Sequence, residues 1–257
     1  MMNSSSVKGR AHWALRFLPV LSTLIFLVVW CLAARYTDLL PSFFETLGAL
    51  FEMLFRPSTK VTLLQHVWAS LCRVLAAYGL AIATGVLLGV AFGRSRRFHD
   101  YCFPIFELLR PIPPIAWIPL VIMWLGIGES SKIAVCFIGA VVPILLNTYF
   151  GVSALDSTFL KSAKVLGAGR WSTLVEVVLP GALPSILTGM KVALSSGWVC
   201  VIAAEMIAAK EGLGYLIIRS MESGDMVHIL VAMIFIGSIN FLFSWLFSKL
   251  ERVVCPW

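Results

Sequence analysis

The chain has 257 residues, of which 60% are hydrophobic and only 13% charged, with a formal charge of +7 and a mean hydropathy of +0.93. Soluble domains carry about a quarter charged residues, so this composition excludes an ordinary soluble fold and requires a bilayer. The basic excess does not signal nucleic acid, because its distribution follows membrane topology, as shown below.

Crossing roughly 30 Å of hydrocarbon at 1.5 Å per residue takes about 20 apolar residues. Six windows qualify: Phe17–Ala34, Val67–Gly93, Pro113–Ile127, Ile133–Phe150, Pro184–Ala208 and Val227–Leu250. They predict an all-α polytopic membrane protein. Its parts are a cytoplasmic segment over residues 1–16, a transmembrane domain over 17–250 and a cytoplasmic tail over 251–257. The first window follows Lys8, Arg10 and Arg16, as in a signal peptide, but its apolar core is long and no small-x-small cleavage site follows. It is read as a retained anchor.

Between the first two windows, Ser42 precedes Glu45 at capping-box spacing, and Phe44, Leu47, Phe51 and Leu54 recur at helical intervals. A short interfacial helix is predicted there, read as a connector lying on the membrane rather than a docking surface. The second window carries Gly85, Gly89 and Gly93, and the fifth Gly189, Ala193 and Gly197. This small-xxx-small spacing lets helix backbones approach closely, and it is assigned to internal packing rather than a dimer seam. Arg73 and Lys191 lie near predicted helix ends, where a cation snorkels or is paired.

Pro111, Pro113, Pro114 and Pro119 remove backbone donors, so the third window is expected to be kinked or broken. Just before it, Glu107 and Arg110 stand at i, i+3 pairing distance, which is read as structural. With the N-terminus inside, cytoplasmic segments hold eleven Lys and Arg and external ones six, in agreement with the positive-inside rule. An even number of crossings returns the C-terminus to the same side.

About thirty residues between Gly151 and Leu183 are too polar to span. Phe159, Ala163 and Leu166 fall on one helical face, and Trp171, Leu174, Val175 and Val178 on another. Gly167-Ala168-Gly169 separates the two, and Pro180 is expected to end the second helix. In the fifth window, Ser195, Ser196 and Trp198 mark either a polar translocation path or ordinary interhelical hydrogen bonds. Glu205, towards its outer end, either lines an external gate or satisfies the backbone near Gly212–Gly214.

Catalytic chemistry is not visible. No Gly-Lys dipeptide exists, which excludes a phosphate-cradling P-loop, and no HExxH or GxSxG occurs. The histidines at 12, 66, 99 and 228 are scattered, and the six cysteines show neither CxxC spacing nor a disulfide framework.

The polar loop resembles the signature of importer permeases of the ATP-binding-cassette superfamily. That signature is Glu-Ala-Ala, three residues, Gly, nine residues, Ile, one residue, Leu-Pro. The register falls on Lys161-Ser162-Ala163, Gly167, Val177 and Leu179-Pro180. Spacing is matched throughout, while Lys161, Ser162 and Val177 depart from it. Around it, Arg110–Leu120, Trp124–Lys132, Leu179–Pro184, Thr188-Gly189, Gly197-Trp198, Ala203–Met206 and Gly212–Gly214 look like taurine and aliphatic-sulfonate permeases. Nitrate, bicarbonate and thiamine-precursor permeases share much of this pattern.

The resemblance implies a type I importer permease, six helices with a coupling-helix loop between the fourth and fifth. It pairs with a second copy of itself, two cytoplasmic ATPase subunits that bind the ATP and magnesium, and a periplasmic substrate-binding protein. It implies a bacterial inner-membrane location, both termini cytoplasmic, no cofactor in this chain and no enzymatic activity of its own. Phe159, Lys161, Ala163, Lys164, Gly167, Arg170, Trp171, Leu179 and Pro180 would then touch the ATPase. Trp117, Ser195, Ser196, Trp198 and Glu205 would form the translocation path or gate. A small sulfonate such as taurine is the expected cargo. The rivals are a self-sufficient secondary transporter, for which no inverted repeat or clustered intramembrane charge is evident in the sequence, and a membrane-embedded enzyme.

Overall fold

A computed structural model describes residues 4–37, 40–55 and 62–255. Arg56 and Lys60 of the external charge count, and the terminal residues 1–3, 256 and 257, lie outside the described residues, as do the side chains of Lys8, Arg10 and Arg16.

Every regular element among the described residues is helical. In chain order they are α1 (Ser4–Tyr36), α2 (Phe43–Phe55), α3 (Leu63–Arg94), α4 (Arg96–Leu109), a 3-10 turn (Pro114–Trp117), α5 (Ile118–Leu125) and α6 (Glu129–Ser153). There follow α7 (Ser157–Val165), α8 (Arg170–Thr173), a π turn (Leu174–Val178), α9 (Leu179–Ala208), α10 (Leu213–Glu222) and α11 (Met226–Val254). Five helices are long and apolar enough to cross a membrane, and a sixth crossing arises if α4 and the segment Pro114–Leu125 form one broken span.

The predicted capping box is formed: Ser42 N–H donates to Glu45 Oε2 at 3.0 Å, and Glu45 N–H to Ser42 Oγ at 3.2 Å. It starts α2, which packs chiefly on α11. The Ser42 backbone N–H, and after it the Ser42 hydroxyl, hold the Glu45 carboxyl below its usual pKa range. A second capping box, Thr62 with Gln65, starts α3.

Three helices make the core. Gly85, Gly89 and Gly93 of α3 lie against Ile144, Thr148 and Val152 of α6, so these two run parallel. Gly139 and Gly151 of α6 meet Cys200 and Ser185 of α9, so that pair is antiparallel. A Cβ placed on Gly89 would sit 2.5 Å from Thr148 Cβ and 2.7 Å from the Leu145 carbonyl oxygen. Only glycine permits that approach. Within one chain, therefore, both small-residue stripes are consumed by internal packing.

The third window is broken, as its prolines predict. If the bent pair is one span, Pro113–Ile127 contains only its second half and α4 supplies the first, the axes meeting at 86°. Arg96, Arg97, His99, Asp100 and Glu107 on α4 hid it from a hydropathy reading. The bend falls where proline is densest, as expected where ring nitrogens offer no donor.

Pro180 corrects a second expectation. It does not end the helix; α8, the π turn and α9 run on as one 39-residue rod from Arg170 to Ala208. Leu179 N–H bonds back five residues to the Leu174 carbonyl. This wider turn accommodates Pro180, which lacks an N–H and whose ring would crowd a tighter one.

Candidate functional site

Three features stand out: the α7–α8 element at one end of the bundle, a charged centre at the other, and a pocket at mid-depth.

At the first end, Asp156 caps α7, accepting from Thr158 N–H at 2.8 Å and from its hydroxyl at 2.8 Å. Both bonds favour the charged carboxylate and hold its pKa below the ordinary value. The helix closes in a Schellman motif, in which Ala168 N–H bonds to Ala163 O and Gly167 N–H to Lys164 O. Gly167 sits at φ +80° with nothing within 4 Å of an added Cβ, so the left-handed backbone rather than space demands glycine. Ala163 is buried, whereas Phe159, Val165, Leu166 and Trp171 are 62, 87, 86 and 75% exposed. Lys161, Lys164 and Arg170 are also exposed. α7, its capping turn and the start of α8, anchored by one alanine, thus present four large apolar side chains ringed by cations.

At the opposite end, Arg73 of α3 is only 3% exposed and is shared by three carboxylates. Its Nε donates to Glu129 Oε2 at 2.5 Å and Nη2 to Glu129 Oε1 at 2.9 Å. Nη1 donates to Glu205 Oε1 at 2.7 Å and to the Glu211 carbonyl at 2.9 Å. Lys132, one of the six cations assigned to external segments by the charge distribution, is buried against Glu129.

The same face of α3 caps α10. Gly212 N–H donates to His66 Nδ1, Leu213 N–H to Ser70 Oγ, and Gly214 N–H to Glu205 Oε2, each at 3.0 Å. Three N–H groups at the start of α10, which a helix start leaves without partners, are thus satisfied from α3 and α9. Glu205 was expected either to gate or to satisfy the backbone; in the structure it does the latter, and also neutralises Arg73. The centre was not read from the sequence, although His66, Ser70 and Arg73 recur at i, i+4 and i+7 on one face.

Midway between these ends, a pocket of about 420 Å³ opens between α4, the proline turn, α6 and α9. Trp117 and Ser196 line it. The Ser196 hydroxyl donates to the Gly139 carbonyl at 2.8 Å. Ser195 is half-buried beside it and does not line this pocket. Trp198 is buried inside the chain, its Nε1 donating to the Ile236 carbonyl at 3.1 Å and its ring edge-on to Phe243. Arg110 and Glu107 meet at 3.5 Å, and Lys191 donates to Ser248 Oγ at 2.8 Å. Among the described residues no cluster of His, Cys, Asp and Glu is arranged to hold a metal ion.

Membrane-length helices around a glycine-packed core, one crossing broken at a mid-depth pocket and a polar helical element projecting from one end, define a multi-pass membrane transport protein. Residues 81–254 match the family of binding-protein-dependent transport system inner membrane components, and the chain belongs to that family. It is 38% identical over 218 residues to a putative ABC transporter permease of Methanocaldococcus jannaschii, covering 83% of this chain and 81% of that one. It is 35% identical over 238 residues to the taurine transport system permease TauC of Escherichia coli (91% and 86% covered). Against the nitrate import permease NrtB of a Synechocystis strain the identity is 31% over 244 residues (93% and 89%). Among solved structures, an inward-facing MetNI methionine ABC transporter superposes with a TM-score of 0.66 at 18% identity, covering 75% of this chain and 95% of that one. A bacterial alginate ABC transporter gives 0.61 at 14% identity, covering 97% and 93%. The chain is a permease subunit of an ABC importer and not itself an enzyme.

Proposed function

We infer that this permease imports a small organic anion, a sulfonate such as taurine, in a bacterial inner membrane with both termini cytoplasmic. Two copies pair, two ATPase subunits dock on their α7–α8 elements, and a periplasmic binding protein delivers cargo. The observation that carries the reading is the exposed quartet of Phe159 and Val165 on α7, Leu166 in its capping turn and Trp171 at the start of α8. Such apolar side chains facing an aqueous phase mark a partner surface.

Coupling follows from connectivity. The element is bracketed by α6 and α9, and α8 runs into α9 with only a π turn between them. Both helices also line the mid-depth pocket, through Gly139 and Ser196. Closure of an ATPase pair that grips Trp171 and Phe159 displaces α9 as a rod and so moves a pocket wall. Lys161, where the family signature has glutamate, leaves shape and apolar contact as what the partner grips.

The sulfonate reading is supported by the taurine permease relative and by the likeness over Arg110–Lys132. The nitrate permease relative supports a second reading, an inorganic oxyanion. Reconstitution in proteoliposomes with the ATPase and binding protein tests both. Taurine uptake that requires ATP is expected, and uptake by this chain alone on an ion gradient would overturn the importer assembly. Calorimetry of the binding protein tests the cargo separately: heat with nitrate and none with any sulfonate rejects the sulfonate.

A further inference from the structure

Arg110 is misplaced for a structural surface cation. The α6 residues that share its pocket, Ile138 to Pro143, occupy the middle of the 25-residue helix Glu129–Ser153, and Ser196 occupies the middle of the 30-residue α9. Arg110 stands on the α4 side of that pocket, one turn beyond Phe106, whose ring centroid lies 6.3 Å from that of Phe92 near the C-terminal end of α3. A guanidinium beside so much apolar surface is kept where it faces a cavity or a partner. Here it faces a cavity: its side chain is 40% exposed, in a pocket of about 420 Å³ whose other lining is apolar except for Ser196 and the Trp117 indole.

Its only ion pair among the described residues is loose. Glu107 Oε1 stands 3.5 Å from Arg110 Nη1 on the preceding turn, and that carboxylate is itself half exposed. Charge-assisted bonds close to about 2.7–2.9 Å when they are made. By contrast, Arg73 is buried and tied at 2.5–2.9 Å to two carboxylates. One arginine is spent on structure; the other keeps donors free.

We propose that Arg110 is the anion-recognising residue of a cargo station in the membrane, taking the oxyanion group of a sulfonate or nitrate between the proline turn, α6 and α9. The guanidinium fork matches two oxygens of either group. Ile112, Trp117 and Val142 form an apolar wall for the rest of an organic cargo, and Glu107 serves as the counter-ion that cargo replaces. The station rests on the anion-importer reading above and adds a site to it.

The test uses the full transporter, with ATPase and binding protein, in proteoliposomes supplied with labelled taurine or nitrate. Arg110→Gln is expected to lower uptake at least tenfold while binding-protein-stimulated ATP hydrolysis stays within twofold. Arg110→Lys, which keeps the charge but not the fork, should transport less than wild type and more than Arg110→Gln. Because Arg110→Gln risks misassembly, the near-isosteric pair Val142→Glu and Val142→Gln provides an independent arm. A carboxylate on the pocket wall repels an anion, so Glu should transport at least tenfold less than Gln. Wild-type uptake of an anion with Arg110→Gln uptake within twofold of it overturns the station alone. So does equal transport by the two Val142 variants, including when Arg110→Gln loses ATPase and uptake together. A wild-type complex that takes up neither anion removes the cargo reading, and the station with it. Taurine uptake without nitrate uptake, or the reverse, says which oxyanion the station serves.

Discussion

Single residues at the Arg73 centre carry more than their pairwise contacts suggest. Glu205 both neutralises a buried guanidinium and accepts from Ser70 and Gly214. Truncating one partner of a buried pair leaves the other charge uncompensated, at a cost of about 3–5 kcal/mol. Both Glu205→Ala and Glu205→Gln are therefore expected to lower the detergent-solubilised melting temperature, Gln by less because it keeps an acceptor for Gly214. Equal melting of the two variants would show that this acceptor contributes nothing, and melting of Gln at the wild-type temperature would show the same of the charge. Glycine positions separate just as sharply. Leucine at Gly89 meets Thr148 and the Leu145 carbonyl, whereas nothing lies within 4 Å of an added Cβ at Gly79 on the same helix. Overpacking costs about 1–3 kcal/mol, so thermal denaturation should distinguish Gly89→Leu from wild type and leave Gly79→Leu close to it.

Elements rather than residues decide how the α7–α8 loop works. Its C-terminal turn depends on Gly167 at φ +80°, where an L-residue with a side chain pays about 1–2 kcal/mol. Open space around it means that the penalty is conformational, so Gly167→Asn should preserve coupling better than Gly167→Val. The readout is cargo transported per ATP hydrolysed; equal ratios would reject the turn as a coupling part. The N-terminal turn is pH-sensitive in a definite direction. Asp156 is more acidic folded than unfolded, so its contribution is complete above the unfolded value of about 3.9 and is lost as pH falls through the lower, folded value. Amide exchange at Thr158 should therefore accelerate relative to neighbouring helices below about pH 4, and Asp156→Asn should remove that difference. Periodicity identified α7, the start of α8 and the glycine break between them. It misjudged Pro180, because a proline terminates a helix only where the backbone cannot widen, and the π turn before it is a tertiary accommodation that spacing does not encode.

At the scale of the whole molecule, six crossings, the count if α4 and Pro114–Leu125 form one broken span, would place the α7–α8 element on the side of both termini and the Arg73 centre on the other. Cysteine substitutions at Ser157 and Glu222 in an otherwise cysteine-free chain should therefore label from opposite faces of sealed vesicles. Labelling from the same face would reject the topology. The apolar windows, the positive-inside bias and the loop signature were readable directly, since each depends on local composition or spacing. Length and apolarity alone determined that this chain crosses a membrane on helices, and the signature spacing determined its family. Which glycine meets which helix, that Glu205 finds Arg73 across 132 positions of sequence, and that Arg110 opens onto the pocket between α4, α6 and α9 were decided only by tertiary structure. Burial and charge pairing arise between helices distant in the chain, and a hydropathy window, blind to neighbours, could not register either.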